Sequence, residues 1–265
     1  MVGPKYHPYH IVTNSPWPLM ASMAVLIVTI GAAMYMHAFM HGGFLLFVGI
    51  LHLIGVAAFW WRDVIREATF EGKHTLKVQR SLRIGFILFI ISEIMFFFGF
   101  FWAFFHSALA PSIAIGCRWP PMGIDPFNPY GIPLVNTVFP LMSGATITYT
   151  HSFLVKGNWE ITFIGFCETL MYAVAFTIMQ CDEYLTATFA ISDGIYGSVF
   201  YMITGLHGAH VIIGTLFIVV CFVRFYKCHF TRTHHLGFEF STWYWHFVDG
   251  VWLIVYITLY WWSFR

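Results

Sequence analysis

The chain has 265 residues, of which 59% are apolar and only 9% are charged, and its formal net charge is +1. Soluble domains usually carry about 25% charged residues, so this sequence has too few charged side chains to cover a soluble domain of this size. The composition therefore excludes a soluble enzyme and a disordered chain, and the small net charge excludes a nucleic-acid-binding protein. A mean hydropathy of +0.73 indicates a protein that crosses a membrane several times.

Seven stretches are apolar and long enough, at about 20 residues, to cross a bilayer as helices. In chain order they are residues 17–36, 44–61, 84–105, 134–154, 161–180, 197–222 and 243–262. The first charged residue after the second stretch is Arg62, so helix 2 is expected to extend into a polar end. Nothing between residues 74 and 83 breaks a helix, so helix 3 is free to start before Arg83. The sequence predicts an all-α membrane protein with seven transmembrane helices.

The distribution of Lys and Arg predicts the orientation of these helices. With the N-terminus inside, eleven of the thirteen cationic residues lie in inside segments, and only Arg118 and Arg265 lie outside. This positive-inside bias supports an odd number of spans. The long outside loop, residues 106–133, contains six prolines and is predicted to be a rigid extended segment rather than a helix.

The inner end of helix 2, residues 60–74, combines two tryptophans with charges at helical spacing. Arg62 and Arg66 are four residues apart, and two acidic residues repeat that spacing beside them. Arginines bind phosphate through paired hydrogen bonds, and tryptophans pack against acyl chains. We therefore favour an anionic phospholipid site here, with Arg224 at the inner end of helix 6 as a second phosphate contact. The alternative is an ordinary interface of charged side chains that reach toward water.

Charged side chains at membrane depth are costly, so each one is a candidate functional residue. Glu93 lies in the middle of helix 3 among Phe, Ile and Met residues. It is interpreted either as a proton relay or partner contact, or as a protonated carboxyl group that is hydrogen-bonded to another helix. Glu168, in helix 5, has no visible partner and is interpreted as structural.

Fourteen histidines suggest a metal or haem protein, but only His207 and His210 form a tight pair within one span. Their spacing of three places both on one helix face, so they cannot hold a haem from opposite sides. A metal site would need further ligands, such as His246 or Asp249 from helix 7. The favoured interpretation assigns all four residues to polar contacts between helices, with His246 and Asp249 hydrogen-bonded to each other, and predicts no metal.

Several long strings, all in one order, resemble subunit three of cytochrome c oxidase, of the mitochondrial type. They are SPWP (15–18), WWRDVIRE (60–67), FILFIISEIMFFFGFFWAFFHSALAP (86–111), WPPMGI (119–124), ISDGIYGSVF (191–200), TGLHGAHVIIGT (204–215), HHLGFE (234–239) and WYWHFVDGVWL (243–253). The resemblance covers essentially the whole chain, and strings of this length are far more specific than a short motif.

The resemblance implies a multi-pass protein of the mitochondrial inner membrane, with its N-terminus on the matrix side. Residues 1–73, with helices 1 and 2, are expected to be separated by a lipid-filled V-shaped cleft from residues 74–265, a bundle of helices 3–7. The lipid-binding residues that the resemblance implies are Trp61, Arg66, Glu67, His74 and Arg224. Lys73 departs from the family pattern and is expected to change the charge of this lipid site, whereas no family role carries over to Glu168.

The resemblance further implies a non-redox core subunit of the respiratory oxidase, which transfers electrons from cytochrome c to oxygen and pumps protons. Haem and copper are expected in partner subunits one and two, and this chain is expected to hold no cofactor other than bound phospholipids. Glu93 corresponds to the carbodiimide-reactive carboxyl of the family and is expected near subunit one. The chain would pack on subunit one, stabilise the catalytic core and support proton uptake.

A second hypothesis is a stand-alone seven-helix redox or transport protein. Its metal would be held by His207, His210, His246 and Asp249. A visible spectrum and a metal analysis of the isolated chain would distinguish this protein from an oxidase subunit without a redox centre.

Overall fold

The computed structural model describes residues 7–264, which form seven long helices. The helices are α1 (Trp17–Met36), α2 (Gly42–Thr69), α3 (Leu76–Leu109), α4 (Ile132–Lys156), α5 (Trp159–Thr186), α6 (Gly194–Tyr226) and α7 (Leu236–Val255). Each predicted apolar stretch lies in one of these helices, and α7 continues as a π-helical segment, Tyr256–Trp262. The prediction of an all-helical membrane fold is confirmed.

The polar helix ends also agree with the sequence. Helix α2 continues past the last apolar residues to Thr69, and α3 begins at Leu76, before Arg83. Helices α1, α2, α3, α5 and α6 are apolar enough over 18 residues to cross a membrane by length and composition alone. Helices α4 and α7 are not in this group: α4 is rich in serine, threonine and glycine, and α7 contains Glu239, His246 and Asp249.

The outer loop is slightly shorter than the sequence predicts. Helix α3 extends to Leu109, and α4 begins at Ile132 immediately after Gly131. Between them the chain forms a single 3₁₀ turn, Ile113–Ile115, and otherwise irregular structure. Proline lacks the backbone N–H that a helix requires, so a segment with this many prolines does not continue either helix.

Helices α1 and α2 form an antiparallel hairpin in the first of two compact units, which ends at Leu82. Glycines let the two backbones approach closely: a Cβ atom on Gly31 would lie 2.5 Å from the Leu46 nitrogen, and one on Gly42 would lie 2.5 Å from the Tyr35 nitrogen. Small residues play this role where apolar helices pack in lipid, because the hydrophobic effect does not drive helix association there.

The second compact unit begins at Arg83 and has an aromatic core. Helix α4 presents its small hydroxyl residues to the neighbouring helices: Trp245 of α7 donates a hydrogen bond to Ser143, and Trp252 donates one to Thr137. On α5, a Cβ atom at Gly165 would overlap the hydroxyl oxygen of Thr150. The polar composition of α4 therefore reflects close packing inside the unit.

Candidate functional site

At the polar end of α2, the charged side chains differ in how directly they are paired. Asp63 accepts hydrogen bonds from the indole N–H of Trp17 at 2.7 Å and from Arg62 at 2.9 Å. Arg66 is exposed and makes no side-chain hydrogen bond or salt bridge with the residues that the structure describes. Trp61, five residues earlier, is 68% exposed. The polar end of α2 therefore presents both an accessible guanidinium and an accessible indole.

Lys73 lies in the connection between α2 and α3 and forms an ion pair with Glu71 at 2.5 Å. Its ammonium group lowers the pKa of the Glu71 carboxyl, and the carboxylate in turn raises the pKa of Lys73. Both groups stay charged at neutral pH, so the extra cation that departs from the family pattern is balanced by a neighbouring anion. It therefore adds less positive charge to this surface than the sequence indicates.

His74, in the same connection, lies against the segment that precedes α1. The hydroxyl group of Thr75 donates a hydrogen bond to the backbone carbonyl of Pro8 at 2.5 Å, and the Lys77 ammonium donates one to the Tyr9 hydroxyl at 2.8 Å. The rings of His10 and His74 are 5.8 Å apart between centroids. His10 thus joins two residues of the predicted lipid site, Glu67 and His74. No sequence pattern indicates this contact, since His10 lies outside every helix.

Arg224 belongs to the second unit and lies in the last turn of α6. Its guanidinium carbon lies 4.5 Å from the centre of the Phe230 ring, in a cation–π contact. A Cβ atom at Gly237 would lie 2.5 Å from one of its terminal nitrogens, so a larger residue there would make the guanidinium shift. The side chain is partly buried.

Glu93 has a hydrogen-bond partner on another helix: its Oε2 atom lies 2.9 Å from Nε2 of His210 on α6. The other ring nitrogen, Nδ1, lies 2.8 Å from the carbonyl oxygen of Leu206 and must donate to it, because a carbonyl only accepts. The Glu93–His210 hydrogen bond therefore needs one further proton, which belongs either to the carboxyl group or to the imidazole. This shared proton forms the hydrogen bond that joins Glu93 of α3 to His210 of α6.

The other predicted polar residues of α6 and α7 point to separate partners. His207 donates from Nε2 to the carbonyl oxygen of Val248 at 3.2 Å, and His246 is hydrogen-bonded to Thr148 of α4 at 3.0 Å. The predicted hydrogen bond between His246 and Asp249 is not formed, since the His246 ring turns toward α4. The Asp249 Oδ2 atom is buried, has no hydrogen-bond partner in the described part of the chain, and lies against Gly144.

Two polar contacts in the second unit were missed by the sequence interpretation. Glu183, near the end of α5, is 1% exposed and accepts hydrogen bonds from Tyr260 and Gln180. Its position beside another acidic residue at a helix end is typical of a solvated carboxylate. Arg83 of α3 forms a two-pronged ion pair with Glu239 of α7, at 2.9 and 3.0 Å. A cation and an anion 156 residues apart carry no spacing signal.

Side chains with the spacing of a metal site occur at one place within residues 7–264, formed by His10, Glu67 and His74. His207, His210, His246 and Asp249 do not form such a group, because the three histidines are hydrogen-bonded to different residues. The ligand set that the second hypothesis assigns to a metal between α6 and α7 is therefore not assembled among the described residues.

Comparison with known proteins identifies the family. The family model of cytochrome c oxidase subunit III matches residues 7–264. The chain is 56% identical to cytochrome c oxidase subunit 3 of Prototheca wickerhamii over 98% of this chain and 99% of that protein. It is 50% identical to the Arabidopsis thaliana protein of that name (99% of each chain) and 52% identical to the Equus caballus one (97% of this chain, 98% of that protein). The chain belongs to the cytochrome c oxidase subunit III family and is a subunit of that oxidoreductase complex.

Proposed function

We propose that this chain is a core subunit without a redox centre, which packs on subunit one, binds phospholipid, stabilises the catalytic core and supports proton uptake. Haem and copper are assigned to partner subunits one and two, and further subunits complete the complex. The proposed location is the mitochondrial inner membrane with the N-terminus on the matrix side. The distribution of the cations, eleven of thirteen on one side, supports this orientation.

The hydrogen bonds of the membrane-embedded histidines support the assignment of redox chemistry to other subunits. His207 and His210 each donate to a backbone carbonyl, and His246 is hydrogen-bonded to a threonine. An imidazole coordinates a metal through a ring nitrogen that carries no proton. In each of these three residues at least one ring nitrogen is engaged in a hydrogen bond within the unit, and the described residues do not group them as a metal site.

The observation that carries the lipid proposal is the exposure of both Arg66 and Trp61 at the polar end of α2. A guanidinium at the level of the headgroups binds a phosphate oxygen, and the indole packs against the glycerol and acyl region of the same lipid. Glu67 and His74 complete the proposed site in the first unit, as acceptor and donor for the polar part of a headgroup. Arg224, held at the end of α6, is proposed as a further phosphate contact.

Replacing the two arginines tests the lipid proposal. A cation near an anionic membrane surface contributes about 1 kcal/mol, which corresponds to a roughly fivefold weaker lipid affinity for each arginine removed. We expect the intact complex carrying Arg66→Ala and Arg224→Ala to purify with less phospholipid, as measured by mass spectrometry, and to lose activity sooner during turnover. Arg118→Ala, an exposed arginine of the outer loop, is the matched control and should leave both quantities unchanged.

Unchanged phospholipid content together with an unchanged inactivation rate in the double variant would contradict the lipid proposal. A matching loss in the Arg118→Ala control would also contradict it, because the effect would then follow from lost surface charge in general. The haem spectrum of each preparation reports whether the complex has assembled.

The shared proton of Glu93 and His210 supports the proposed connection to proton uptake. The Glu93 side chain is 23% exposed on the described chain, so one side of the carboxyl group faces outward from its unit. One turn away on the same helix, Phe89 and Phe96 are exposed apolar residues, whereas Phe97 is buried. We propose that this face of α3 contacts subunit one and that the carboxyl group stabilises polar or protonated groups there.

A further inference from the structure

The segment that precedes α1 is held against the α2–α3 connection by contacts from successive residues. The carbonyl oxygen of Pro8 accepts from Thr75, and the Tyr9 hydroxyl accepts from Lys77, whose ammonium also lies 4.4 Å above the Tyr9 ring. These contacts fix the backbone on the N-terminal side of His10. The imidazole of His10 is thereby positioned before any ligand binds, which lowers the entropic cost of assembling a site.

His10 then faces two further ligand-type side chains. Its Nε2 atom lies 3.8 Å from Glu67 Oε2, and one ligand atom from each of His10, Glu67 and His74 lies within 4.8 Å of the others. In tetrahedral coordination with bonds of about 2.1 Å, two ligand atoms are about 3.4 Å apart. The observed spacing is therefore close to that of a coordinated set, and small side-chain rotations would close it.

The hydrogen bonding of His10 leaves its inward nitrogen available. The Nε2 atom is buried and has no hydrogen-bond partner among residues 7–264. Buried polar atoms almost always have a partner, so a buried ring nitrogen that faces a carboxylate beyond hydrogen-bond distance lacks a group that such an atom needs. A metal ion between the two side chains would be that group, because it accepts electron density from the imidazole nitrogen and from the carboxylate at once.

We propose that His10, Glu67 and His74 bind one divalent transition-metal ion, with Zn²⁺ as the ion that best matches the donors. Two imidazoles and one carboxylate suit borderline ions of this class and leave a fourth position for water. The ion would attach the N-terminal segment to the ends of α2 and α3. This site departs from the sequence-based prediction that the chain binds no metal, and it is independent of the proposed redox centres in other subunits.

Zinc binding to the purified intact complex tests this assignment. After treatment with a chelator, the complex is equilibrated with ⁶⁵Zn²⁺ and washed, and bound zinc is counted per haem. We expect His10→Gln and His74→Gln to bind one zinc equivalent less than the parent complex. His7→Gln is the matched control, since His7 is exposed in the same segment but lies outside the group, and it should bind as much zinc as the parent.

A cysteine variant and a lipid variant separate the proposed site from zinc bound to a lipid headgroup or scattered over the surface. His10→Cys restores a ligand, so it should retain the zinc equivalent and, with Co²⁺, show a thiolate-to-cobalt absorption band that the parent lacks. Arg66→Ala removes a proposed phosphate contact but no metal ligand and should retain the zinc. Retention of zinc in His10→Gln, an equal loss in His7→Gln, or a loss in Arg66→Ala would each overturn the assignment, the last because it would place the metal on a lipid headgroup.

Discussion

The hydrogen-bond partner of Glu93, His210, lies on another helix. This contact determines the expected effect of a conservative substitution at position 93. In Glu93→Gln the amide N–H₂ can donate to His210 Nε2 while Nδ1 continues to donate to the Leu206 carbonyl. The contact between α3 and α6 is therefore kept. The glutamine amide does not ionise, however, so residue 93 can no longer release a proton from the hydrogen bond.

We expect the oxygen-reduction rate of the complex with Glu93→Gln to stay within about twofold of the parent, a change in activation free energy of less than about 0.5 kcal/mol. The reason is that no redox centre is assigned to this chain. Oxygen-electrode rates measured per haem check the expectation. Abolished oxygen reduction in a normally assembled complex would show that Glu93 has a direct role in the reaction.

Glu93→Leu is the informative companion to Glu93→Gln. It leaves His210 Nε2 without its partner in a partly buried position, and an unpaired polar atom of this kind costs about 1–3 kcal/mol. The complex with leucine should therefore release this subunit at lower temperature than the complex with glutamine, although both lack the acidic group. Equal thermal release of the two variants would show that the hydrogen bond contributes little to stability.

At the scale of elements, the α1–α2 hairpin depends on where its glycines lie. In Gly31→Ala the new methyl group would lie 2.5 Å from the Leu46 nitrogen and 2.7 Å from its Cα atom, and neither backbone atom can move without shifting the helix. Overpacking of this kind usually costs about 1–3 kcal/mol. We expect the complex with Gly31→Ala to lose this subunit at a lower temperature than the parent, as followed by native gel after heating.

Gly55→Ala is the matched control on α2, since no described atom lies within 4 Å of its Cβ position. Alanine also favours helices by about 1 kcal/mol over glycine, so this variant should be as stable as the parent or slightly more stable. If both alanine variants behaved alike, the close approach of α1 and α2 at Gly31 would not limit the stability of the hairpin.

The positions of the helices could be predicted from the sequence because long apolar stretches must form helices in lipid. The polar extensions of α2 and α3 could be predicted as well, because charged residues follow the apolar part of α2 and no helix-breaking residue lies between residues 74 and 83. The Glu183–Tyr260 and Arg83–Glu239 contacts could not, because each joins residues that are distant in the chain. These pairings depend on how the helices rotate about their axes, which an apolar sequence with little amphipathicity does not determine.

In the candidate site, too, the positions of neighbouring residues could be predicted from the sequence, but the contacts between distant residues could not. Arg66 and Glu67 could be placed on the polar end of α2 from helical spacing alone. The hydrogen bond that Trp17 donates to Asp63 joins residues 46 positions apart and could not be predicted in this way. The exposure of Arg66 beside this pair could not be predicted either. The approach of His10 to Glu67 and His74 depends on the path of an irregular segment, for which periodicity gives no information.

On the scale of the whole molecule, much of the apolar surface has no cover within the described chain. Only 11% of the most apolar 18-residue window of α1, and 11% of that of α3, is buried, compared with 33% for α5 and α6. Exposed apolar surface on this scale requires lipid or protein around it. Membership of an oxidase complex accounts for part of this requirement, because other subunits of the complex are partners of this chain.

We propose that other subunits hold the haem and copper and that this chain stabilises them. This proposal predicts the effect of removing the whole chain from the complex. If haem and copper belong to the partner subunits, a complex from which detergent has removed this chain should keep the same haem and copper content per subunit one. It should also begin turnover at a rate close to that of the intact complex, and then lose activity faster, because the lipid and helix surface that supported the core are gone. Metal analysis, the visible spectrum and the decay of oxygen consumption during one assay measure the three quantities. Loss of haem or copper in proportion to the chain removed would place a redox ligand on this subunit, whereas an unchanged decay rate would exclude a stabilising role.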